Sequence, residues 1–247
     1  MRIGAQFYTL RDFCKTPEGL AESLKRVADM GYEYVQISGT CPYNGAWLDK
    51  ALNAAGVKCV ITHNPPDELQ NDPAALAEKH DQFGCKYVGL GSYGFGNENT
   101  LDDFEKIYGP VMDVLHEKGK YFMYHNHAHE FQKENGKLFL EGLAERIPAE
   151  KMGFTLDTYW VQVGGGDPAQ WIEKLSGRVP CIHLKDYAYG QKMAVVGEGN
   201  LNFERIFEKA ETAGTEYMLV EQDDCNGEDP FDCLRRSCEY LKACGFR

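Results

Sequence analysis

Met152-Gly153-Phe154-Thr155-Leu156-Asp157 is a short apolar run that stops on a carboxylate, and Val179-Pro180-Cys181-Ile182-His183-Leu184-Lys185-Asp186 repeats the form one helix later. Between them, Pro168 to Leu175 has helical character. Strand, helix and strand in that order make a crossover unit, because parallel strands cannot be joined by a tight turn. Further towards the C-terminus come the helix Phe203 to Ala213, stopped by Gly214, the strand Tyr217 to Val220 ending at Glu221, and a last helix from about Asp232 to Ala243.

The same rhythm runs back to the N-terminus. Strands are expected at Ile3–Tyr8, Tyr34–Ile37, Val57–Thr62, Lys86–Leu90 and Tyr121–Tyr124. The intervening helices are expected at Pro17–Met30, Trp47–Ala55, Pro73–Phe83, Leu101–Lys118 and Gly142–Ile147. Thr16 is a candidate N-cap, and Gly31, Gly56, Gly84 and Gly119 stand where helices hand over to strands, the left-handed cap of a short connection. Repeated strand-then-helix units favour a closed barrel over an open sheet, and no G-x-G-x-x-G turn follows the first strand. The expectation is an α/β chain folded as a single (β/α)8 TIM barrel over residues 1–247, a common size for that architecture.

With 26 Lys and Arg against 38 Asp and Glu, the net charge of −12 argues against a nucleic-acid partner held by phosphate contacts. No apolar run is long enough for a membrane span. The N-terminus reads as a strand rather than a secretory signal, so a cytoplasmic location is expected. The nine cysteines form no C-x-x-C pair, and Cys59, Cys85 and Cys181 lie in apolar runs, as reduced structural thiols do.

In such a barrel, chemistry collects where strands end. Five expected strand ends carry ionisable groups: His63-Asn64, His125-Asn126-His127-Ala128-His129-Glu130, Asp157, His183-Leu184-Lys185-Asp186 and Glu221-Gln222-Asp223-Asp224. Taken singly, a carboxylate after a strand is an ordinary helix cap and a histidine an ordinary polar contact. Together they converge on one mouth, where like charges oppose each other's ionisation unless a cation joins them. One divalent metal ion, manganese, magnesium, cobalt or zinc, is the expected cofactor.

These motifs resemble the sugar-phosphate isomerase/epimerase family of xylose-isomerase-like barrels, related to endonuclease-IV-type barrels. The residues that carry the resemblance are His125-Asn126-His127-x-x-Glu130-Phe131, Leu156-Asp157-Thr158-Tyr159-Trp160, His183-Leu184-Lys185-Asp186, Gly197-Glu198-Gly199 and Val220-Glu221-Gln222-Asp223. The resemblance implies a metal held by a Glu after strand five, an Asp after six, a His after seven and a Glu after eight. Asp157, His183 and Glu221 match the last three. His125 stands where many relatives carry Glu, and Glu130 lies five residues further on; the fourth ligand is one of these two, with Glu130 preferred because a further oxygen donor suits hard metals.

The resemblance further implies an isomerase or epimerase that moves a proton beside a carbonyl of a sugar, keto-sugar or related polyol. Glu130 and Glu221 would be its acid/base pair. His63, His125, His127, Trp160 and Lys185 are the candidate substrate contacts. Asp167 is expected to cap the helix after Gly164-Gly165-Gly166, which makes a phosphate unwelcome there, so a non-phosphorylated carbohydrate is preferred. A dehydratase or lyase on a keto-sugar or inosose and a non-catalytic sugar-binding barrel are the rival readings. A homodimer would be usual for similar barrels.

Overall fold

The computed structural model describes residues 1–96 and 99–247. Eight parallel strands close into a barrel: β1 (Arg2–Gln6), β2 (Tyr34–Ile37), β3 (Lys58–Asn64), β4 (Tyr87–Leu90), β5 (Tyr121–His125), β6 (Met152–Asp157), β7 (Cys181–Leu184) and β8 (Tyr217–Val220). Each pairs with its sequence neighbours, and β1 pairs with β8. The chain is therefore a (β/α)8 barrel in one domain.

Local sequence explains the helices. Pro17–Met30 starts with Thr16 accepting the Gly19 amide at 3.1 Å and ends on Gly31 at φ 98°, a left-handed position that glycine takes without penalty. Leu101–Glu117 is held by a capping box in which Thr100 and Asp103 satisfy each other's amides. Gly45–Ala55 and Phe139–Arg146 begin earlier than the expected Trp47 and Gly142. Pro66–Asn71 and Thr158–Val163 are further short helices, and two small antiparallel hairpins pair Lys133–Glu134 with Lys137–Leu138 and Asp186–Ala188 with Lys192–Ala194.

The strand interiors are filled. Val60, Ile61, Tyr87, Met123, Cys181 and Leu219 pack into one cluster, backed by Tyr34, Tyr121 and Tyr217. A larger apolar layer lies between strands and helices and includes Phe7. A packed interior leaves the C-terminal mouth as the place for chemistry. All nine cysteines are free thiols, seven of them buried. No described helix is long and apolar enough to cross a membrane.

Candidate active site

The barrel register brings the strand-end residues together. Asp157 lies opposite His183, and Leu219, two residues before Glu221, pairs with His183 from the other side. His125, the last residue of β5, pairs with Thr155, two residues before Asp157. One candidate ligand atom from each of His125, Asp157, His183 and Glu221 lies within 4.8 Å of all the others, and all four residues are buried. His125 Nε2 is 3.2 Å from Asp157 Oδ2, which in turn is 3.7 Å from His183 Nδ1, and His183 Nδ1 is 2.9 Å from Glu221 Oε2.

The outer edges of the imidazoles decide what the inner edges offer. His183 Nε2 lies 2.7 Å from the Gln36 amide oxygen, an acceptor, so that nitrogen carries the hydrogen. His125 Nδ1 lies 2.8 Å from the Gly91 carbonyl and donates likewise. In the neutral rings, His183 Nδ1 and His125 Nε2 then present lone pairs to the carboxylates. The His183–Glu221 contact lacks hydrogen-bond angles, and His183 Nδ1 is without a hydrogen-bond partner. Two imidazole nitrogens and two carboxylate oxygens with fixed tautomers make an N2O2 donor set that fits a divalent transition metal.

The charge balance agrees. Burial alone would raise the Asp157 and Glu221 carboxyls, but the Lys185 ammonium is foremost in outweighing it and holding both well below the usual range. Burial opposes a charge on His183, yet Glu221 and Asp157 raise its pKa above the ordinary value. The site thus attracts positive charge to the point that His183 Nδ1 faces.

Asp157 answers both readings of a carboxylate after a strand. Its Oδ1 caps the helix Thr158–Val163 by accepting the Trp160 amide at 2.9 Å, while Oδ2 faces the cluster. Its own amide donates to Asn126 Oδ1 at 3.0 Å, tying the β5 loop to β6. On the far side of the cluster, Gln6 Nε2 donates to Glu221 Oε1 at 2.5 Å.

Glu130, expected as the fourth ligand, stands apart from this four-residue group. It is fully buried in a single 3-10 turn, His129–Phe131, and belongs to a separate group with His127 and His129. One oxygen accepts the Tyr124 hydroxyl and lies 3.1 Å from His129 Nε2; the other accepts the His127 amide at 2.8 Å. These bonds fold the loop after β5. His125, in strand register, stands in the place expected for a carboxylate and belongs to the group with Glu221, whereas Glu130 is bonded within the β5 loop.

A cavity of about 610 Å3 opens over the cluster, and all five candidate substrate residues line it: His63, His125, His127, Trp160 and Lys185. Glu221 and Asp223 also face it, as do Gln6, Tyr8, Arg11 and Ser38. The His63 ring lies 5.1 Å from that of His125, and burial, then the neighbouring imidazoles, keeps His63 neutral. His127 packs on Trp160 at 5.2 Å, and burial lowers its pKa to about 3. Neutral rings suit hydrogen bonds to hydroxyls.

Two sequence features serve the frame instead. Asp186 accepts the amides of Tyr187, Gly197, Gly199 and Leu201 and so shapes the loop after β7, where a Cβ on Gly199 would fall 2.4 Å from Asp186 Oδ1. Glu198 pairs with Arg236. Asp167 caps its helix as expected, accepting the Gln170 amide. Gln6 and Gln36 were not singled out in the sequence, though an amide inside an otherwise apolar strand is a buried polar group that needs a partner.

Comparison with known proteins agrees with this architecture. The chain is similar to an inosose dehydratase of Geobacillus thermodenitrificans, with 21% identity over 91% of this chain and 89% of that protein. Among solved structures, a sugar phosphate isomerase/epimerase from Parabacteroides distasonis superposes with a TM-score of 0.80 at 25% identity, covering 98% of this chain and 97% of that one. An L-ribulose 3-epimerase superposes with a TM-score of 0.76 at 15% identity, covering 98% and 93%. The family model described as xylose isomerase-like TIM barrel matches residues 24–244, and the chain belongs to that family.

Proposed function

We propose that the chain is a divalent-metal-dependent enzyme that moves a proton beside a carbonyl of a sugar, keto-sugar or related polyol. The observation that carries the reading is the pair of imidazoles whose outer N–H groups are spent on Gln36 and Gly91, so that their lone pairs face Asp157 and Glu221. His125, Asp157, His183 and Glu221 would hold the ion. When bound, it supplies positive charge against which negative charge on a substrate oxygen can develop.

The chain's own residues do the rest. Glu221 is the metal-side carboxylate that lines the cavity, its Oε1 held by Gln6, and is the group proposed to take a proton from the carbon next to the carbonyl. His63 and His127, both neutral, donate to or accept from substrate hydroxyls, and Trp160 forms a wall for a ring. The relatives named as epimerases and dehydratase act on carbohydrates and cyclitols by their names, which supports this substrate class.

Isomerisation or epimerisation is the first reading. The placement of Glu130 favours a second, elimination. Epimerisation needs a second group to return the proton to the opposite face, and the expected second carboxylate is folded behind the β5 loop. In elimination, Glu221 removes the α-proton, the electron pair forms a C=C bond as the β-C–O bond breaks, and the β-hydroxyl leaves as water with the proton handed on from Glu221.

The test is incubation of the manganese-loaded chain with ketoses, keto-glycosides and inososes in heavy water. Deuterium at the carbon beside the carbonyl, abolished in Glu221→Gln with fold and metal intact, is the expected result. A product lighter by one water selects elimination. Unchanged turnover in Glu221→Gln would remove the base assignment.

A further inference from the structure

We propose that Lys185 is an internal counter-ion competing with the divalent cation for Asp157 and Glu221, so that the Lys185–Asp223 pair sets how tightly the site holds its metal. The inference rests on the metal reading above and concerns its control.

Lys185 is only 1% exposed, and its ammonium stands among three carboxylates. Nζ is 3.1 Å from Asp157 Oδ2, 2.9 Å from Glu221 Oε2 and 2.9 Å from Asp223 Oδ2. The first two oxygens are the same ones that face the imidazole lone pairs. An ammonium has no lone pair and cannot be a ligand. It therefore neutralises the ligand carboxylates from the position where it most opposes a second cation, since Coulomb repulsion rises as the inverse of distance and is little screened in a buried site.

Asp223 is the third partner and lies outside the four-residue ligand group. It gives the ammonium a resting place that is not a ligand. Three ionised carboxylates, one ammonium and one divalent ion would balance to zero. Backbone bonds fix the lysine's starting point: its amide donates to Thr158 Oγ1 at 3.0 Å, and Thr158 Oγ1 donates back to its carbonyl at 2.7 Å. The side chain also lies over the Trp160 ring at 5.6 Å, so the ammonium is held without being locked to one carboxylate.

Calorimetric titration of the metal-free full-length chain with manganese chloride tests this, using wild type, Lys185→Met, Asp223→Asn and the double variant, with circular dichroism confirming the fold. Lys185→Met is expected to bind manganese at least tenfold more tightly and to unfold more readily without metal. Asp223→Asn, which leaves the ammonium only the ligand carboxylates, is expected to bind at least threefold more weakly. That loss shrinks in the Lys185→Met background if Asp223 acts through the lysine.

Unchanged or weaker binding in Lys185→Met overturns the proposal, as does an equal effect of Asp223→Asn in both backgrounds. Should Lys185→Met fail to fold, Asp223→Asn decides alone, and unaltered or tighter binding refutes the competition. Wild type and Lys185→Met both failing to bind manganese would remove the metal reading itself, an outcome distinct from normal binding that ignores Lys185.

Discussion

Gln36→Met separates the role of a ligand's support from that of the ligand. Gln36 is fully buried on β2, and its Oε1 accepts the His183 Nε2 hydrogen at 2.7 Å, while its own Nε2 has no partner. Methionine keeps the unbranched shape. The change removes one unpaired buried donor and creates another, the His183 N–H, each with a cost of about 1–3 kcal/mol. These effects oppose each other, so metal-free stability is expected to move by no more than about 1 kcal/mol. The tautomer is another matter. Without Gln36, the proton is free to sit on Nδ1 and bond Glu221, which removes the lone pair from the cluster. Loss of such a support lowers metal affinity about 10–100-fold. Calorimetric titration with manganese, run beside urea unfolding of the metal-free chain, measures both quantities. Metal affinity within twofold of wild type in a folded variant would refute the tautomer argument, as would destabilisation above about 3 kcal/mol with no selective effect on metal.

Three further outcomes follow from the geometry. Glu130→Gln should leave one metal per chain by elemental analysis while lowering stability by about 1–3 kcal/mol, since it disturbs the bonds to Tyr124 and the His127 amide; loss of metal would return Glu130 to the ligand set. His80, bonded to Leu76 and Thr62, has its pKa lowered by burial from 6.5 to about 4. The folded chain therefore resists a proton that the unfolded chain accepts: His80 has no effect above pH 6.5, and stability falls through pH 6.5 to 4 by about 3 kcal/mol. Urea unfolding against pH should show this slope in wild type and not in His80→Gln. Gly199→Ala places a Cβ 2.4 Å from Asp186 Oδ1 and 2.8 Å from the Tyr187 carbonyl, and should cost about 1–3 kcal/mol in the same assay.

The barrel was legible because each strand is a short apolar run bounded by helical periodicity and glycine stops. Its site was partly legible for the same reason: a polar residue at the end of an apolar run points to the mouth, as Asp157, His183 and Glu221 do. The choice between Glu130 and His125 was the least legible point, because ligand chemistry favours the one and strand register the other. His125 is the last residue of β5, whereas Glu130 is reached only after the chain has turned away and bonded Tyr124. Gln6 and Gln36 escaped notice because one amide in an apolar strand leaves the strand pattern intact; their meaning lies in partners that are distant in sequence, Glu221 and His183. The short helices Pro66–Asn71 and Thr158–Val163 are too brief to build a periodic signal.

Anomalous diffraction from crystals of the manganese-loaded chain tests the central claim most directly. The account predicts one peak per chain, about 2.0–2.3 Å from His125 Nε2, His183 Nδ1 and one oxygen each of Asp157 and Glu221. A peak coordinated by Glu130 in place of His125, or no peak among these four residues at saturating manganese, would contradict it.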